Sequence, residues 1–242
     1  MSKMPEWFQK KVASLQKKEV KGKMPSWFRK KVQPDGPSEL DKEVIATNTA
    51  KVEGGFTEQL KATIRQKEAG RHGYDAWYGR GTSQSPVAPP KAPTQMTLNE
   101  VLEWQNTHNP AGAATTAIGA YQFVDQPNAR TLSGLKREMK LRGDELFTPE
   151  LQDRMADRLL ERRGLSDFLN GRLPLESFAN KVAREWASLP VLKPDKRNGR
   201  SISIGQSYYS GDGINKAFKG TKEFEAYRDL YSLADVENIG EL

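Results

Sequence analysis

The chain has 242 residues, 36% of them hydrophobic and 29% charged, with a formal net charge of +7. That length allows one domain with appendages or two small domains, and the low apolar share confines a compact core to part of the chain. Cysteine is absent and histidine occurs only at His72 and His108. Disulfides and thiolate metal sites are thereby excluded, little material is left for a zinc site or a serine–histidine triad, and no metal or other cofactor is expected.

A pI near 9.4 points to polyanionic partners: nucleic acid, an anionic membrane or the bacterial cell wall. The first residues lack the continuous apolar run of a signal peptide. No segment approaches the roughly 20 apolar residues that span a bilayer. Action outside the cytoplasm would need another route of export.

Residues 1–33 form a basic arm with an internal repeat. MPEWFQKKV at 4–12 returns as MPSWFRKKV at 24–32. Each copy joins a Trp-Phe pair, at Trp7 and Trp27, to a Lys-Lys pair. The near-identity of whole units favours docking on a partner protein, used twice for avidity. The alternatives are lying on an anionic membrane, gripping nucleic acid by charge and stacking, and a disordered basic tail without a specific ligand. Residues 34–55 cluster Pro, Gly, Ser and Asp and read as a linker, so the folded domain is placed at 56–242.

Thr57–Tyr78 opens that domain. Leu60 and Ile64 share one helical face, Gln59, Lys61, Ala62 and Gln66 favour helix, and Gly70 is the expected terminator. Glu68 is left at the C-terminal end. Asp75 follows, flanked by Tyr74, Trp77 and Tyr78. An acid at a helix end, with a second acid and aromatic faces beyond it, suits cleavage of a glycosidic bond. A solvated glutamate and an ordinary loop aspartate give the same spacing.

Residues 79–95 form a loop rich in Pro, Ser and Gly. The only room for a short hairpin lies between Asp75 and Gln95, and strand signals elsewhere are poor. Thr97 and Glu100 match a capping box, ahead of a stripe of Leu98, Val101, Leu102 and Gln105. Ala111–Val124 is small and uncharged. It reads as a packed core segment, although Thr115, Thr116, Tyr121 and Gln122 offer groups suited to sugar hydrogen bonding. Asn128–Leu141 is predicted helical. Thr148, Pro149 and Glu150 start another helix, with Leu151, Met155 and Leu159 recurring every four residues and Gly164 ending it. Pro174 opens a helix carrying Leu175, Phe178, Val182 and Trp186. Lys193–Gly213 is polar and contains Tyr208 and Tyr209. A last helix runs from about Thr221 to Tyr231.

HGYD at 72–75, TAIGAYQF at 116–123 and WASLP at 186–190 follow, in this order, a glutamate at a helix end. The set resembles the phage lambda lysozyme (endolysin) family of lytic transglycosylases, within the lysozyme-like superfamily, over about residues 56–235. The resemblance implies a mainly α (α+β) bilobal lysozyme-like fold with a small β-lobe. It implies Glu68 as the catalytic acid, Tyr74 and Asp75 on the β-lobe side of a cleft, and Tyr121 and Gln122 on the opposite wall; Tyr208 is a further substrate-binding candidate. It implies cleavage of the β-1,4 bond between N-acetylmuramic acid and N-acetylglucosamine in peptidoglycan. The spacing from Glu68 to His72 is shorter than in the lambda enzyme, and 191–207 is longer and more basic. The expected setting is phage-encoded: synthesis in the host cytoplasm and action at the cell wall, reached either with a holin, as endolysins do, or by packaging in the virion for genome entry, with the virion route favoured. A non-catalytic virion protein that binds cell wall through such a domain is the alternative, and a nucleic-acid-binding protein is a third.

Overall fold

Residues 55–78, 87–108, 115–126, 129–210, 221–231 and 234 are described by the structure, a computed structural model. Both Trp-Phe repeats, the linker through Gly54 and loop residues 79–86 lie outside the described residues. Among the described residues the fold is mainly helical with small sheets.

Helix α1, Phe56–Glu68, buries Phe56, Leu60 and Ile64. These recur every four residues, and the next position in the series is Glu68. The geometry that builds the buried stripe therefore carries the carboxyl onto the same side of the helix. The helix stops as expected: Ala69 is its cap and Gly70 follows with φ +53°, a conformation in which a side chain would clash.

At its start, α1 enters an aromatic cluster. Phe56 lies 5.2 Å from Phe168 and 5.3 Å from Tyr231, and Phe168 stacks on Phe178 at 4.7 Å between ring centroids. Burying each ring is worth about 1.5–3 kcal/mol, so this end of α1 is firmly anchored. Its other end is free to present chemistry. Lys61, almost fully buried, ties the helix sideways through ion pairs to Glu58 (2.7 Å) and Asp157 (2.8 Å).

Helix α2, Leu98–His108, begins with the anticipated capping box. The Thr97 N–H donates to Glu100 Oε2 at 2.6 Å, and the Glu100 N–H donates to Thr97 Oγ1 at 3.2 Å. Gln105, on its inner face, is fully buried. Its Nε2 donates to the carbonyls of Thr116 (2.8 Å) and Phe123 (3.0 Å). This amide pins the 116–123 turn from behind, where Ile118 pairs with both Trp77 and Phe123.

Strands β1 (Asp125–Gln126) and β2 (Ala129–Arg130) pair antiparallel and lead into α3, Thr131–Glu138. The helix expected over 128–141 is thus shorter at both ends. Val124 O accepts from the N–H groups of Thr131 and Leu132 at 3.1 Å, which fixes the start. Lys140 takes φ +54° just beyond the end. Helix α4, Pro149–Arg162, is capped by Thr148, whose hydroxyl accepts from Leu151 N. A short helix α5, Leu165–Leu169, follows Gly164. Helix α6, Leu175–Glu185, buries Phe178, Ala179, Val182 and Ala183.

Strands β3 (Asp195–Arg197) and β4 (Arg200–Ile202) form a second antiparallel hairpin. Both ladders correct the expectation that strand signals are poor outside 75–95. The first strands are two residues long, too short for any period. The second hairpin is polar and mostly exposed. It is set by its turn, where Asn198 and Gly199 take φ +50° and +77°, the left-handed pair that suits a two-residue hairpin loop. Helix α7, Thr221–Leu230, returns to α1; Tyr231, just beyond its end and buried, packs on Phe56.

Candidate active site

Glu68 meets the chain again at the WASLP motif. Helix α6 ends at Glu185, and Trp186 turns to an extended backbone. The Trp186 ring is buried, and its Nε1 donates to Tyr121 O at 3.2 Å. Leu189 N donates back to Trp186 O at 3.1 Å, closing a turn that holds Ser188. Ser188 then grips the acid twice: its hydroxyl donates to Glu68 Oε1 at 2.6 Å and its N–H donates to the same oxygen at 3.2 Å. Among the described residues Oε2 accepts no hydrogen bond from protein. Burial pushes the Glu68 carboxyl above the ordinary carboxylate range, and the two Ser188 donors oppose that shift without cancelling it. The negative end of α1 acts in the same direction as burial.

Glu68 lines a cleft of about 510 Å³ together with Tyr121, Gln122, Arg163, Glu185 and Tyr209. Residues Tyr121, Gln122 and Phe123 of the 119–123 turn line it as well. Gln122 adopts φ +49° although it is not glycine, and its amide donates to Gly119 O at 2.9 Å. Non-glycine residues in this region cost free energy and cluster at functional sites. Behind the turn, buried Gln152 accepts from Ala120 N (2.8 Å) and donates to the carbonyls of Phe147 (2.9 Å) and Tyr74 (3.1 Å).

Tyr121 lines the cleft but is almost wholly buried, and its hydroxyl is engaged inside the protein. That hydroxyl donates to Asp153 Oδ1 at 2.6 Å and accepts from Arg65 Nη1 at 2.8 Å. Burial and the bond to Asp153 push the phenol far above its usual range. Tyr74 joins the same carboxylate, donating to Asp153 Oδ1 at 2.9 Å. Its phenol is pushed up to about 12, by burial first and by that bond second. Both tyrosines are therefore neutral hydrogen-bond donors at any physiological pH.

Of the residues singled out in the sequence, Glu68, Tyr78, Thr115, Tyr121 and Gln122 line this cleft; Tyr74, Asp75, Thr116 and Tyr208 do not. Asp75 Oδ1 accepts from the Thr94 N–H (2.9 Å) and hydroxyl (2.8 Å), which ties the two ends of the Pro-rich loop. Tyr208 is buried, its hydroxyl bonded to Asp195. The neighbouring Tyr209 lines the cleft instead, donating to Arg184 O at 2.8 Å. In a Tyr-Tyr pair only the backbone decides which ring turns inward. Sequence reasoning also passed over Ser188, Glu185, Arg163 and Asp153. Ser188 sits inside a recognised motif, which was the available signal; the other three carry no local pattern.

Within a mainly helical α+β domain the cleft thus brings together a buried acid whose pKa burial raises, an amide and aromatic side chains, the make-up of an enzyme site. A family model described as Endolysin matches residues 61–215. The chain belongs to the Endolysin family, phage enzymes that degrade bacterial peptidoglycan. No curated protein and no solved structure matches it.

Proposed function

We propose that this endolysin-family chain is a lysozyme or lytic transglycosylase, cleaving the β-1,4 bond between N-acetylmuramic acid and N-acetylglucosamine with Glu68 as the acid. The observation that carries the reading is Glu68 itself. One oxygen is fixed by Ser188, the other has no partner among the described residues, and burial raises the pKa of the carboxyl. A general acid needs this combination of position and raised pKa.

In the first step Glu68 Oε2–H protonates the glycosidic oxygen as the bond to the muramic acid C1 breaks. The resulting carboxylate then removes the proton from the muramic acid 6-hydroxyl, whose oxygen bonds to C1. The product is a 1,6-anhydro end, and Glu68 is again protonated. Glu68 alone carries both proton transfers of this sequence, and Asp75, held by Thr94, takes part in neither. Attack by water in place of the 6-hydroxyl would give a reducing end.

The experiment is digestion of purified peptidoglycan, read by mass spectrometry, where anhydro and reducing ends differ by one water. Glu68→Gln should lose about 10²–10⁴-fold in turnover. Near wild-type cleavage by that variant would remove Glu68 from the role.

The two repeats around Trp7 and Trp27 are read as docking units for a phage protein, giving a virion component that opens the wall during genome entry. Mass spectrometry of purified particles tests this; absence of the protein returns the chain to a lysis role at the end of infection.

A further inference from the structure

Helices α1, α4 and α6 all end at the cleft. Glu68 is the last residue of α1, Arg163 is the C-cap of α4, and Glu185 is the last residue of α6; all three line the cleft. Each helix C-terminus carries a partial negative charge of about half an electron. A full carboxylate joins them. The Glu185 side chain is only 12% exposed, and its Oε2 accepts from Arg163 Nε at 2.8 Å and from Arg163 Nη2. Among the described residues its Oε1 has no hydrogen-bond partner. The other cation in this wall, Arg184, is drawn off to Asp195 at 2.8 Å and lies over the Tyr208 ring at 4.7 Å. Glu185 also stands three residues before Ser188, so one turn of chain both holds the acid and carries a second carboxylate.

We infer that Glu185 is the second carboxylate of the reaction, a fixed negative charge that stabilises the positive charge developing on the sugar as the glycosidic bond breaks. The inference rests on the reading of Glu68 as the acid. Arg163 orients the group through one oxygen, and the other oxygen meets the substrate. Glycosidases pass through an oxocarbenium-like transition state, and preorganised charge in a partly water-excluded cleft acts more strongly there than on the ground state. Glu185 exchanges no proton and forms no bond in this role. Its effect belongs in kcat.

The test uses the full-length protein on purified peptidoglycan. Glu185→Gln should lower kcat by about tenfold or more while KM stays nearly constant, the signature of an interaction made only in the transition state. Turnover within about twofold of wild type would overturn the inference. A double variant, Arg163→Met with Glu185→Met, removes the ion pair whole and so leaves no uncompensated charge. A native melting temperature with kcat still lost supports the catalytic role; restored kcat shows the pair to be structural and overturns it. Should Glu185→Gln fail to fold, the double variant decides alone on the same two outcomes. Glu68→Gln is assayed beside them. Loss there with full turnover in Glu185→Gln sinks this inference only, whereas full turnover in Glu68→Gln sinks both readings.

Discussion

Replacing Gly119 by alanine tests how tightly the turn that carries Tyr121 and Gln122 is fixed. Gly119 has φ +79°, and an added Cβ would lie 2.5 Å from Gln152 Oε1 and 2.9 Å from Phe147 Cε1. Both neighbours are fully buried, so neither can swing into solvent. The left-handed conformation alone costs an alanine roughly 1–2 kcal/mol. Displacing the Gln152 amide also disrupts its bonds to Ala120, Phe147 and Tyr74, and each buried polar group left unsatisfied costs roughly 1–3 kcal/mol. With partial relaxation the sum is about 3–5 kcal/mol, which for a domain of this size lowers the melting temperature by roughly 6–20 °C. Gly171→Ala is the control: its φ is +69° but nothing lies within 4 Å of the new Cβ, so it bears the backbone term alone. Thermal unfolding by circular dichroism measures both. A Gly119→Ala variant melting within about 2 °C of the Gly171→Ala control would refute the steric argument.

Three further outcomes follow from the charged groups. Glu68→Gln should raise the melting temperature at neutral pH, because a buried acid with a raised pKa loses stability as pH climbs above its unfolded value; the gain should vanish in acid, where the unfolded carboxyl is protonated too. Ser188→Ala removes a donor that favours the Glu68 anion, so the alkaline limb of the pH–rate profile should move to higher pH while the plateau falls; an unmoved limb would separate Ser188 from the acid. Asp195 is held well below the carboxylate range by the Tyr208 hydroxyl and then by Arg184. Its contribution is present above the unfolded pKa and fades as pH falls towards the folded one. Asp195→Asn should therefore destabilise at pH 7 and progressively less as the solution is acidified, and a pH-independent difference would rule out the charge as the cause.

Helix ends were the most legible feature of the chain. The Thr97–Glu100 box, the Thr148 cap and the Gly70 stop all depend on contacts within four residues, and all form as their residue types require. The shared face of Leu60 and Ile64 was legible too, and the structure extends it back to Phe56 and on to Glu68. What local pattern does not encode is which polar side chain turns towards the cleft. Glu185 reads as an ordinary last-turn acid, and only the convergence of α4 and α6 brings Arg163 to it. Asp153 looks like any exposed helical aspartate until two tyrosines from distant turns reach it. The β3–β4 hairpin shows a different gap: its Asn198-Gly199 turn lies in a stretch read only as polar, and its strands lack the apolar alternation by which strands are recognised.

The carboxylate of Asp153 is shared by Tyr74, Tyr121 and Arg65, drawn from three separate stretches of chain. Substitutions within such a cluster do not add; coupling energies between touching residues run to about 0.5–3 kcal/mol. Drift at this corner is therefore epistatic, and its four positions should change together or stay put across descendants of the gene. Libraries that randomise one of them at a time will score each as intolerant, and will understate how many joint solutions the scaffold accepts.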